Sequence, residues 1–153
     1  LPGPYLVSAD NRSLEPEGFA AALWAHEHLG TGQRFAADRT NALLMLCPGM
    51  QRPVNNSYDG VNISALFLSS ELGPDELRIV RQGGIRYVVA DQRLTTALPM
   101  FGVYFEAGEL GADQESALNP TCLAKFDVAP GVSRVYDGGN IIIYDVGAAY
   151  EEP

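Results

Sequence analysis

Apolar positions along the chain keep two rhythms, and each predicts elements. From Pro16 to Leu29 they recur at helical spacing, with Phe19, Leu23 and Trp24 on one stripe. Pro16 suits a first turn, Glu15 and Glu17 favour the positive helix end, and Gly30 is a stop. Thr40–Cys47 and the stretch from Pro74 to Gly83-Gly84 repeat the rhythm, the latter with Asp75 and Glu76 at its start. The second rhythm is that of strands. Arg34–Asp38 is short, whereas Ile85–Asp91 is a β-branched and aromatic run of the kind covered on both faces in a parallel sheet. Ser133–Tyr136 and Asn140–Val146 flank Asp137-Gly138-Gly139, which predicts a hairpin.

Between these lie weaker signals. Gln51–Asn62 is polar, rich in Asn and broken by Pro53 and Gly60, so it reads as a loop. Ser64–Leu68 is a strand or an irregular apolar segment, and Leu94–Leu98 is one helical turn closed by Pro99. Val103–Glu106 reads as a short strand, Ala112–Leu118 as polar loop, and Asn119–Lys125 as a weak helix.

Two segments echo each other. Gly32–Thr40 (GQRFAADRT) and Gly84–Thr95 (GIRYVVADQRLT) each follow a helix and run through Gly, Arg and an aromatic to Ala-Asp and a nearby Arg. They predict two α–β units with neighbouring parallel strands and right-handed crossovers. The fold expected is α/β: a single layered domain with a short, mostly parallel central sheet containing Phe35–Ala37 and Tyr87–Ala90. Flanking helices and a C-terminal β-hairpin complete it. Residues 1–15 form an extended linker, 16–147 the domain and 148–153 a tail.

Composition narrows the function classes. At 153 residues the chain suits one domain with a real core, and 46% hydrophobic against 19% charged residues is ordinary for a globular fold. The net charge of −9 repels phosphate backbones and anionic bilayer surfaces, so nucleic acid is not an expected partner. The longest apolar runs, Ala42–Cys47 and Ile141–Tyr144, fall far short of the ~20 residues that span a bilayer. The chain opens on Leu1, not Met, and we expect it to be an excised piece of a longer exported protein.

Candidate chemistry is sparse. Ligands of open parallel sheets collect beyond the carboxyl ends of the strands, where Asp38, Arg39, Asp91 and Arg93 belong. Two carboxylates and two guanidiniums suit hydroxyl or sugar recognition; equally, each Asp caps the following helix or pairs with its Arg. Paired carboxylates also raise a stand-alone hydrolase, the weakest of the readings. His26 and His28 are two apart on a helix and cannot share a metal as an i, i+4 pair could. No G-x-S-x-G elbow and no glycine-rich phosphate loop are present. Asn55, Asn56, Asp59 and Asn62 form an oxygen-rich loop better read as a solvated turn than as a calcium site. Tyr58, Phe101, Tyr104 and Phe105 are core filler or a stacking surface. Cys47 and Cys122 are either two buried thiols or one disulfide. No metal and no cofactor is expected.

Five stretches carry a resemblance: LWAHEHLG (Leu23–Gly30), RFAADRTNALL (Arg34–Leu44), IRYVVADQRLTTALP (Ile85–Pro99), GVYFEAGE (Gly102–Glu109) and RVYDGGNIIIYDV (Arg134–Val146). Together they resemble the C-terminal extracytoplasmic region of actinobacterial polytopic membrane proteins related to GT-C-type glycosyltransferases, which use polyprenyl-phosphate sugars. The resemblance implies a non-catalytic domain on the extracytoplasmic face of the cell membrane, contacting a glycan acceptor, a polyprenyl-linked sugar or its own membrane domain. In such families the catalytic carboxylate lies in an early loop between membrane helices, so the resemblance transfers no catalytic residue to this chain. A structural or interaction module of another integral membrane protein is the alternative.

Overall fold

The computed structural model describes residues 16–96, 105 and 116–149; the expected linker 1–15, the strand at Val103–Glu106 apart from Phe105, and residues 150–153 of the tail lie outside them. Its elements run α1 (Glu17–Leu29), β1 (Arg34–Ala36), α2 (Arg39–Leu46), β2 (Arg52–Pro53), α3 (Asn56–Asp59), α4 (Ser64–Leu68) and α5 (Pro74–Gly83). Then follow β3 (Tyr87–Asp91), a 3₁₀ turn over Gln92–Thr95, α6 (Thr121–Val128), β4 (Ser133–Asp137) and β5 (Ile141–Asp145).

The sheet has the order β2-β1-β3-β5-β4. β1 pairs in parallel with both β2 and β3, while β5 runs antiparallel to β3 and to β4. The α/β architecture expected from the sequence is therefore present, with the sheet mixed: a parallel half and an antiparallel half meet at β3. The two echoing segments do lie side by side, Phe35 opposite Tyr87 and Ala36 opposite Val88.

Strand alternation divides the core in two. Val88, Ala90, Ile142 and Tyr144 face α4, α5 and α6, together with Leu66, Phe67, Val80, Leu123 and Phe126. Tyr87, Val89, Ile141 and Ile143 face the other way, onto Ala21, Ala22 and Ala25 of α1 and Met45 of α2. The result is three layers. It explains why all of β3 and Ile141–Tyr144 of β5 are buried despite the period of two.

Local chemistry sets the boundaries. Pro74 opens α5, and the Glu76 carboxylate accepts the Gly73 amide at 2.9 Å. Gly84 closes it at φ 61°, its N–H donating to the Arg81 carbonyl while Ile85 N–H reaches Val80. The sequence reading departs from the structure in four places. Ser64–Leu68 is helical, because Ser64, Leu66 and Phe67 turn inward together at helical spacing. The Gln51–Asn62 loop contains α3 and the strand β2, held by Arg52 N–H to Gln33 O and Val54 N–H to Phe35 O. Pro53 fits between them, since its missing N–H falls at the residue that does not bond to β1. The turn expected over Leu94–Leu98, whose last two residues lie outside the described ones, begins two residues earlier, at Gln92. Both cysteines are free: Cys47 is exposed where α2 ends, and Cys122 is buried on α6. Neither a disulfide nor two buried thiols describes them, because the elements carrying them lie on opposite faces of the sheet.

Candidate functional site

Three of the four residues singled out at the strand ends do come together. Asp38 ends the β1 segment and caps α2, its Oδ1 accepting the Asn41 N–H at 3.2 Å. Asp91 ends β3 and accepts the Arg93 N–H at 3.1 Å. Between the two carboxylates sits the Asn41 side chain, whose Nδ2 donates to Asp38 Oδ2 at 2.9 Å and to Asp91 Oδ2 at 3.0 Å. Arg93 clasps Asp91 through Nε and Nη2 at 2.9 and 2.8 Å, and its Nη1 lies 3.6 Å from Glu17 at the start of α1. Glu17 in turn accepts both contacts of the Asn140 amide from the β4–β5 turn.

Burial makes this cluster costly to rearrange. Asp38, Asn41 and Asp91 are 3%, 1% and 5% exposed. Asp91 has a guanidinium partner, whereas Asp38 is held by neutral donors, the backbone and side-chain N–H groups of Asn41 among them. Burial first, and then the charge of Asp91, push the Asp38 carboxyl up to about 6. The Asn41 oxygen has no hydrogen-bond partner. It packs beside Gly18 of α1, where a Cβ would stand 3.2 Å from it and 2.6 Å from Leu44 Cδ1. Leaving that acceptor unpaired costs about 1–3 kcal/mol, offset by two bonds from the same amide to carboxylates. The arrangement can hold strand ends and helix starts together. It offers no hydrolytic pair, because each carboxylate caps a turn and the space between them is filled by an amide.

Arg39 is not part of the cluster. It is exposed and lines a cleft of about 240 Å³ beyond the carboxyl ends of β1 and β2. Ala37, Leu43, Leu46, Val54, Ile63 and Tyr58 form most of its wall. Leu43, Leu46 and Tyr58 are 57%, 53% and 91% exposed.

The remaining candidates resolve into structure. Asn55 Oδ1 caps α3 through Ser57 and Tyr58 N–H, Asp59 pairs with Arg34 at 2.8 Å, and Asn62 holds the Ser64 amide. Among the described residues no group of three His, Cys, Asp or Glu could hold a metal. His28 stacks on Trp24 and bonds its carbonyl, and Phe105 is core. Phe101 and Tyr104 lie outside the described residues. Sequence reasoning missed Asn41, Glu17 and Asn140; a polar side chain three residues after a capping Asp was the signal that could have found Asn41.

No protein-family profile matches the chain, and no curated protein matches it. Among solved structures it is similar to the C-terminal globular domain of an oligosaccharyltransferase (AfAglB-S2) from Archaeoglobus fulgidus, with a TM-score of 0.60 at 19% identity. The match covers 86% of this chain and 97% of that one. At this identity the likeness is one of fold: the chain has the layered α/β architecture of a domain found at the C-terminus of an oligosaccharyltransferase.

Proposed function

We propose that the chain is a non-catalytic extracytoplasmic domain of a membrane glycosyltransferase-like protein, serving to contact a glycan acceptor, a lipid-linked sugar or its own membrane domain. The observation that carries this reading is the fold likeness, which runs through nearly the whole of an oligosaccharyltransferase C-terminal domain. The cluster at the strand ends supports it from the chemical side. Asp38 and Asp91 are bound into caps and an amide bridge, which is structural work. Among the described residues no helix is long and apolar enough to cross a membrane, so the membrane part belongs to other segments of the proposed protein.

The full-length gene product tests the reading directly. Apolar spans of about 20 residues preceding Leu1 are expected, together with loss of glycosyl transfer when this domain is deleted. A gene product without such spans would overturn the proposal. A second reading, an interaction module of some other integral membrane protein, is favoured by the exposed Leu43, Leu46 and Tyr58 around a cleft with a mainly apolar described lining. Membrane spans with no effect of deletion on glycosyl transfer would select it.

A further inference from the structure

We propose that Asp38, Asn41 and Asp91 form a proton-operated latch: a proton on Asp38 fastens the starts of α1 and α2 to the ends of β1 and β3, and its loss lets these corners open. The charges argue for it. Glu17, Asp38 and Asp91 are three carboxyls of one connected network, and the cation it contains is Arg93, which clasps Asp91 and lies 3.6 Å from Glu17. Asp38 meets neutral donors instead, among them the backbone and side-chain N–H groups of Asn41. The Asn41 amide nitrogen has two hydrogens, and both are committed, one to each Asp. Ionising Asp38 therefore buries a second negative charge beside the first, with no cation gained in return.

The charged groups around Asp38 are Asp91 from β3, Arg93 from the 3₁₀ turn and Glu17 from α1; α2 offers the neutral Asn41 and the β4–β5 turn the neutral Asn140. Arg12 is the only Lys or Arg in the segments outside the described residues, so those segments bring mainly further carboxyls, which act in the same direction. Burial and the Asp91 charge accordingly hold the Asp38 proton up to about 6.

Position makes the opening local. Asp38 caps α2, Asp91 ends β3, Glu17 opens α1 and Asn140 belongs to the β4–β5 turn. Every contact of the latch is thus made at the terminus of an element, where opening costs less than global unfolding. Ala37 and Arg39, on either side of Asp38, both line the cleft beyond β1 and β2. The latch therefore sets part of the rim of that cleft, at the end of the sheet where α/β folds take ligands. This inference needs only the network and does not depend on the glycosyltransferase reading.

The test uses the 153-residue chain. A carboxyl-carbon NMR titration should show Asp38 titrating at about 6. Amide exchange, corrected for its intrinsic pH dependence, should reveal an opening at Asn41, Ala42 and Arg93 that low urea leaves unchanged. That opening should be about tenfold more frequent at pH 7.5 than at pH 5. In Asp38→Asn, which keeps the capping oxygen and stays neutral, it should lose its pH dependence. Three results would each overturn the proposal: Asp38 titrating at its ordinary 3.8, these amides exchanging only with Val89 and Ile143 in global unfolding, or the pH dependence surviving in Asp38→Asn. None of them touches the count of membrane spans, on which the functional reading stands or falls separately.

Discussion

Asp38 shows how far one residue could be read before folding. An Asp at a strand-to-helix corner is a cap, and the structure makes it one, with Asn41 supplying the amide. The sequence does not show that the same Asn41 also serves Asp91. That bridge joins residues 50 apart and follows from the parallel register of Phe35 with Tyr87, set by tertiary packing. It has a measurable cost. The Asp38 carboxyl sits at about 6 when folded and at 3.8 ordinarily, so the folded state holds this proton more tightly than the unfolded chain does. Its contribution to stability is complete below pH 3.8 and is lost as pH rises through 6, a change of about 3 kcal/mol. Asp38→Asn keeps the capping oxygen and removes the charge. Denaturation of this variant should gain on the wild type by about 2–3 kcal/mol between pH 4 and 7. Parallel pH profiles for the two proteins would refute the account. Asp38→Ala, which loses the cap and strands the Asn41 amide, should cost about 2 kcal/mol even at pH 4.

Elements with strong punctuation were legible, and short ones were not. The helix starting at Pro74 and the strand at Tyr87–Asp91 emerged nearly as read, because a proline, two acids and a Gly-Gly mark the first and unbroken apolar character marks the second. A five-residue apolar run such as Ser64–Leu68 fits helix and strand alike, and only its neighbours decide. Those neighbours are visible at its end. From α6, Lys125 Nζ donates to the Ser69 carbonyl at 2.7 Å, and Cys122 Sγ reaches the Leu68 carbonyl at 3.3 Å, so a distant helix completes the C-terminus of α4. Turns between elements differ in what they tolerate. Gly84 and Gly131 both have positive φ, 61° and 77°, but a Cβ meets nothing at the first and the Ala149 Cα at 2.9 Å at the second. Gly84→Ala should therefore cost about 1–2 kcal/mol, the left-handed penalty alone. Gly131→Ala adds a backbone clash and should cost at least ~1 kcal/mol more. Urea midpoints of the two variants measure the difference, and equal midpoints would remove the steric argument.

For the whole molecule the sequence announced three layers less clearly than it announced α/β. That β5 inserts between β3 and β4, antiparallel to both, is a choice of packing partner that no local pattern encodes. At this scale the ionisable groups set a pH optimum. Ion pairs and hydrogen bonds hold the carboxyls of Asp59, Asp127 and Asp145 below their ordinary 3.8, against the opposing pull of burial. Their contribution is present above pH 3.8 and lost as pH falls through their folded values, the reverse of Asp38. The net charge of −9 also relaxes on mild acidification. The thermal midpoint should accordingly peak at about pH 4–5 and decline on both sides, as scanning calorimetry across pH 3–8 can show; a maximum at pH 7 or above would contradict the assignment. One further consequence lies in the two outermost strands. β2 is two residues long and carries Pro53, while β4 presents Arg134 and Asp137 and breaks register between Arg134 and Tyr136. A proline at one border, and charges with an irregular ladder at the other, deny an incoming strand a straight row of amides and carbonyls. Among the described residues both borders thus disfavour strand addition, which works against fibril-like stacking at high local concentration and favours partners that grip side chains instead of backbone.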